Sequence, residues 1–238
     1  ISSLREILEG VPLVALTATA TPEVCVDIQE RLGFPRPNLL KKSFERTNLD
    51  YLVVSTVDKV KELLELVSHS EGCGIVYTRN RKKCRELSEL LSQHGVSSTY
   101  YHAGLKQALR DERQQQWMQN QVRVMVATNA FGMGIDKSDV RLVIHMDLPD
   151  GPESYFQEAG RAGRDGEHSR AILLYSGPDK RVIEQRIAVN FPGIPKIRDV
   201  YKAVCNYLQI PLGSGRGQQY DFEFGEFLHR YRFSAMVA

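Results

Sequence analysis

A chain of 238 residues with 42% hydrophobic content can bury one full core with partial neighbours, which excludes an intrinsically disordered segment. Its formal net charge of +2 leaves any nucleic-acid binding to local basic clusters, because no strong field surrounds the whole molecule. The four cysteines, Cys25, Cys73, Cys84 and Cys205, form no CxxC pair, which argues against a zinc site and a disulfide framework and for reduced thiols. No apolar run is long enough to span a bilayer, and Ile1 opens without a basic leader, so the chain is expected to be a soluble, non-secreted piece of a longer protein.

In chain order, residues 13–16 are short and apolar, as a strand would be. They run through Thr17, Ala18, Thr19 and Ala20 to Thr21, the expected N-cap of a helix opening at Pro22 and stopping at Gly33. A strand over 50–54 precedes a helix capped by Asp58, with Val60, Leu63, Leu64 and Val67 on one face. The pattern then repeats. Strands are expected over 74–77, 96–101, 122–127, 140–146 and 171–175, with helices over 82–94, 106–118 and 152 to about 163. Several strands are apolar on both faces, which predicts an α/β fold: a mostly parallel sheet covered by helices. Ligands of such sheets sit beyond the carboxyl ends of the strands, here the loops after Tyr77, Tyr101, Ala127 and Met146.

From Pro178 the alternation stops. A helix over 179–189, a linker over 191–195 with two prolines and a glycine, and a second helix to Leu208 form a separate helical module. Gly213 to Gly217 reads as a turn. Beyond it, Phe224, Phe227, Leu228 and Tyr231 at helical spacing could open a helix-turn-helix or winged-helix fold.

Five strings carry the chemistry. In SYFQEAGRAGRDG, residues 154–166, Arg161 and Arg164 are three apart, so two guanidiniums project together from a helix or turn among small residues that permit close approach. Such planar forks suit phosphate oxygens; a solvated helix end is the plain alternative. In VMVATNAFGMGIDK, residues 124–137, an apolar strand enters a loop where Gly132 and Gly134 relieve the backbone, so amides and hydroxyls can face a phosphate. GIVYTRNRKKC, residues 74–84, ends a strand in a basic loop with Thr78, Arg79 and Arg81 placed to neutralise phosphates, although a basic first helical turn would look the same. YYHAGL, residues 100–105, puts His102 and Gly104 at a strand end, and ALTATAT, residues 15–21, is a hydroxyl-rich strand end.

Taken in order, these strings resemble the third to sixth motifs of superfamily-two helicases, and QEAGRAGRDG is similar to the RecQ form of the last. The resemblance covers roughly residues 13–166. It implies a RecA-like second motor lobe over 44–177, preceded over 1–43 by the end of the first lobe and an interlobe linker. A helical linker over 178–210 and a truncated winged-helix-like start over 211–238 would follow. By the same resemblance, Arg161 and Arg164 would be arginine fingers reaching the ATP γ-phosphate, with Gln157 sensing the nucleotide. Gly134 and Asp136 would couple to ATP, while Thr78, Arg79, Arg81, His102, Gly104, Thr128 and Asn129 would line the DNA. Arg79 departs from the Asn expected in many relatives.

The implied parent is an ATP-dependent 3′ to 5′ DNA helicase of recombination and repair, acting on single-stranded and partly duplex DNA in the bacterial cytoplasm or a nucleus. ATP and Mg²⁺ would be held mainly by a first lobe, since the chain has neither a GxxxxGK[ST] phosphate loop nor a DExH string. No zinc is expected, because Cys205 stands alone in the region where many relatives carry four cysteines. The alternatives are an RNA helicase lobe and a non-catalytic nucleic-acid-binding fragment.

Overall fold

A computed structural model describes residues 11–43, 45–132 and 134–233. The chain divides into two compact units, Ile1–Ser176 and Gly177–Ala238.

In the first unit, α1 (Pro22–Arg31) begins where Thr21 accepts a bond from the Val24 amide and Pro22 occupies the first turn. Six strands follow: β1 (Leu49–Ser55), β2 (Cys73–Tyr77), β3 (Ser98–Tyr101), β4 (Val124–Ala127), β5 (Val140–His145) and β6 (Ser169–Tyr175). Between them lie α2 (Lys59–Ser68), α3 (Arg81–Gln93), α4 (Gln107–Met118) and α5 (Pro152–Ala159). The strands form one sheet in the order β1-β6-β5-β2-β4-β3, with every pairing parallel. Asp58 and Asn80 each accept two backbone amides, at the starts of α2 and α3 respectively.

The pleat divides the strands between two cores. Ile75, Tyr77, Met125, Ala127, Val143 and Ala171 face one side and pack with Trp117 of α4 and Ala159 of α5. Val76, Val124, Val126, Leu142, Ile144 and Ile172 face the other and pack with Leu63 and Val67 of α2 and Cys84, Leu87 and Leu91 of α3. Helices therefore cover both faces, and strands buried on both sides read as continuous apolar runs. All four cysteines are free, and burial pushes the Cys73 and Cys84 thiols up to about 12, so both stay protonated at neutral pH.

Two expectations need correction. Residues 13–16 form no strand: among the described residues no neighbouring strand bonds them, and Val14 and Leu16 stand exposed. The helix expected to reach about 163 ends at Ala159, because the chain turns at Gly160 and reaches a left-handed Gly163 whose amide donates to the Val140 carbonyl at 2.8 Å. Elsewhere the expected bounds shift by one or two residues.

The second unit holds α6 (Gly177–Asn190), α7 (Ile194–Tyr207) and α8 (Phe224–Tyr231). Among its described residues, Ala203 and Cys205 of α7 and Phe227 of α8 are the buried apolar ones, with Tyr207 and Phe222 packed edge-on to one another and Tyr207 edge-on to Phe227. No helix among the described residues is long and apolar enough to cross a membrane.

Candidate functional site

A parallel sheet delivers its carboxyl ends to one edge, and backbone bonds lock the exits of the inner strands together. The Thr78 amide donates to the Ala127 carbonyl at 2.9 Å, that of Met146 to Tyr77 at 2.9 Å, and that of Thr128 to Tyr101 at 3.2 Å. The four loops expected to carry chemistry thus begin side by side.

The turn after α5 directs its two arginines onto one loop. Arg161 Nη1 donates to the Gly132 carbonyl at 2.6 Å, and Arg164 Nη1 donates to the Ile135 carbonyl at 3.0 Å and to Asp136 Oδ1 at 2.7 Å. Gly132 is required by this contact: its φ is +145°, and a Cβ there would collide with the Arg161 guanidinium. Arg161 Nε is buried without a partner among the described residues, so this fork keeps an unused donor. Beneath it, Tyr77 donates to the Phe131 carbonyl at 3.2 Å. Burial raises the Tyr77 pKa, against an opposing pull from Arg161, so the phenol remains a neutral donor. Gln157 reaches the other way, its Nε2 donating to Thr19 Oγ1 at 3.1 Å, which joins α5 to the TAT segment. Gly134 has φ +74° and open space where a Cβ would stand.

The second grouping lies after β2 and β3. Arg81, His102 and Gly104 come together: a Cβ on Gly104 would stand 3.0 Å from Arg81 Nη1 and 3.3 Å from His102 Nδ1. His102 stacks on Tyr100 at 5.8 Å, and Arg113 lies 3.8 Å over the Tyr100 ring. Burial, then Arg81 and Arg113, lower the His102 pKa, so the ring is neutral at physiological pH. Asn129 is exposed, whereas Thr128 is buried and its Oγ1 accepts from the Ala130 amide at 3.4 Å.

Thr78 is also buried, and its hydroxyl donates to Asp147 Oδ2 at 2.7 Å instead of facing solvent. The same oxygen accepts the Arg79 amide at 3.0 Å, Lys83 Nζ approaches Oδ1 at 3.5 Å, and the Arg79 side chain pairs with Asp150 at 2.8 Å. Sequence reasoning missed this acidic hub, because Asp147 lies 69 residues from Thr78 and belongs to none of the five strings. Equally invisible was the bond between His145 Nε2 and Glu158 Oε2 at 2.9 Å, which ties the end of β5 to α5. His145 simply ends an apolar strand, and Glu158, although inside the 154–166 string, carries no signal that names His145 as its partner.

Burial raises the Asp147 pKa, but the Arg79 amide, the Thr78 hydroxyl and the charges of Lys83 and Lys59 together outweigh it, and the net direction is down. A depressed carboxylate contributes stability above its ordinary range and loses that contribution as pH falls through the native value. We expect Asp147→Ala to cost about 1–3 kcal/mol in urea unfolding at neutral pH. That cost should shrink in acid; a cost unchanged down to about pH 3 contradicts this account.

With this geometry in place, residues 56–166 match the family described as the helicase conserved C-terminal domain. The chain is 44% identical over 199 residues to the RecQ-like DNA helicase blm-1 of Caenorhabditis elegans, covering 78% of this chain and 20% of that protein. It is 43% identical over 186 residues to the ATP-dependent DNA helicase RecQ of Bacillus subtilis, covering 78% and 31% respectively. The chain belongs to the RecQ helicase family. It spans about a third or less of the length of these relatives.

Among solved structures, the C-terminal domain of the DEAD-box protein Dbp5 superposes with a TM-score of 0.51 at 25% identity, over 61% of this chain and 86% of that one. Dbp5 of S. cerevisiae bound to RNA and ADP BeF3 gives 0.60 at 24% identity, over 75% of this chain and 48% of that one, a likeness of fold alone. The α/β sheet is thus that of a RecA-like helicase C-terminal lobe. Its RecQ relatives include ATP-dependent DNA helicases.

Proposed function

We propose that this chain is the second motor lobe of an ATP-dependent 3′ to 5′ DNA helicase of recombination and repair, together with flanking segments. Residues 1–43 would close the first lobe and cross to 44–177, with a helical linker over 178–210 and a winged-helix-like start over 211–238. The observation that carries the reading is the convergence of Arg161 and Arg164 on residues 132–136, at the carboxyl edge of a parallel sheet.

In that reading a nucleotide with Mg²⁺, cradled by a first lobe, meets Arg161 and Arg164 when the cleft closes. The exposed part of the Arg164 guanidinium beside Asp136 offers donors to a phosphate, and Arg161, whose Nε is buried, reaches one as it leaves the Gly132 carbonyl. Gly134 and Asp136 couple the loop to the nucleotide, and Gln157 reports closure through Thr19. On the same edge, Arg81, His102, Gly104 and Asn129 face the DNA backbone directly. Thr78 and Thr128 act from beneath, by shaping the loop, and Arg79 reaches a phosphate once it leaves Asp150. Action on DNA places the full-length protein in the bacterial cytoplasm or a nucleus.

The competing reading, an RNA helicase, has the Dbp5 fold on its side, but the 43–44% identities are to DNA helicases. Unwinding of DNA and RNA duplexes with 3′ overhangs by the full-length protein tests the proposal: DNA should be the better substrate, and a preference for RNA sinks it. For this 238-residue chain alone we expect ATP hydrolysis no faster than buffer. We also expect weak single-stranded DNA binding that falls as salt rises. Turnover by the isolated chain, or salt-independent binding, contradicts the assignment.

A further inference from the structure

Arg46 and Asn48 precede β1, more than a hundred residues from the arginine turn, yet both side chains end on it. Arg46 Nη1 donates to the Gly160 carbonyl at 3.2 Å and Nη2 donates to the Gly163 carbonyl, so one guanidinium spans the segment that presents Arg161 and ends just before Arg164. Nη2 also donates to Asn48 Oδ1 at 3.3 Å, which orients the amide. Asn48 Nδ2 then donates to the Gly163 carbonyl at 2.8 Å and to the Glu167 carbonyl at 3.0 Å. Below them the Ser169 amide donates to the Asn48 carbonyl at 2.9 Å, which fixes the bracket to the β1–β6 pairing.

The turn needs such a bracket. α5 has already ended, and Gly160 and Gly163 are permissive in conformation, so local propensity does not hold the turn. A Cβ on Gly163 would press on Asn48 Nδ2, the Glu167 carbonyl and Ser169 Oγ at 2.6–2.8 Å, so the bracket and the glycine fit each other closely. A planar fork reaches the two carbonyls through separate nitrogens in a fixed geometry; a lysine in the place of Arg46 would have to serve both from one flexibly tethered ammonium.

We propose that Arg46, oriented with Asn48, is a positioning pair that aims Arg161 and Arg164 at the nucleotide. This deepens the motor reading and rests on it. Neither residue need touch ATP. Misplacing a catalytic group by about 1 Å can cost on the order of 10²-fold in rate, so loss of the fork should lower turnover while leaving nucleotide affinity alone.

The test uses the full-length protein, with Arg46→Lys, Arg46→Ala, Arg164→Ala and the Arg46→Ala/Arg164→Ala double variant, reading kcat and KM for ATP. We expect about 30- to 100-fold lower kcat for both Arg46 variants, KM within about twofold of wild type, and a less than multiplicative loss in the double variant, because only the aim of Arg161 remains to be lost there. Amide hydrogen exchange on the 238-residue chain should show Arg46→Lys deprotecting Gly163 and Gly166 while the β2 and β4 amides stay protected. Wild-type kcat in the Arg46 variants, or fully multiplicative losses in the double variant, overturns the positioning role. Wild-type turnover in Arg164→Ala would instead remove the finger assignment on which the positioning role rests.

Discussion

Arg164→Ala in the full-length protein is expected to lower DNA-stimulated ATP hydrolysis by about 10³-fold or more while nucleotide binding stays within a few-fold of wild type. The guanidinium sits on the Ile135 carbonyl and Asp136 at the carboxyl edge of the sheet, so it can act on a phosphate that another lobe holds. Removing it leaves the phosphate cradle intact and deletes charge where negative charge builds in the transition state. Arg161→Ala should behave alike, with one difference. Its guanidinium also occupies the space over Gly132, so the variant frees that loop and should respond less steeply to DNA. A rate within threefold of wild type for Arg164→Ala removes the finger assignment.

Trp117→Ala is expected to destabilise the 238-residue chain by about 3–5 kcal/mol in urea unfolding. The indole is fully buried, donates to the Gly74 carbonyl at 3.2 Å, and meets the Phe131 ring edge-on at 5.3 Å. Phe131 in turn packs on Tyr101 at 4.9 Å and sits immediately before Gly132. The cavity would therefore open beneath the loop that receives both arginines, and the surviving folded molecules should show a mobile 131–136 segment. Lys137, almost fully enclosed, lies 5.5 Å over the same indole and bonds the Met118 carbonyl, Asn120 and Asp139. Its ammonium would lose one wall of that enclosure. Trp117→Phe, which keeps a ring against Phe131 but loses the N–H bond and part of the volume, should cost about 1–3 kcal/mol. Equal costs for the two variants would show that the bond outweighs the volume.

The sheet was legible because its signals are local: apolar runs of strand length, amphipathic helices, and caps at Thr21 and Asp58 that the structure places where the sequence pattern does. Strand status at residues 13–16 was misread for a physical reason. Strand propensity states a preference, but a strand exists only when a neighbour accepts its backbone bonds, and none does among the described residues. The two arginines could be named from spacing, yet their acceptors could not, since carbonyls carry no sequence signal. Thr78 shows the limit well. A threonine in a basic loop reads as a phosphate contact, and only the fold reveals Asp147 taking its hydroxyl. Arg46 and Asn48 were passed over because nothing nearby in sequence explains them; their partners lie 114 to 119 residues away.

The most direct measurement is ATP hydrolysis by the full-length protein with and without single-stranded DNA. A motor whose arginine turn and DNA-facing loops share one sheet edge should hydrolyse ATP at least tenfold faster with DNA present. A rate indifferent to DNA would contradict that coupling, and would leave a RecQ fold without the work proposed for it.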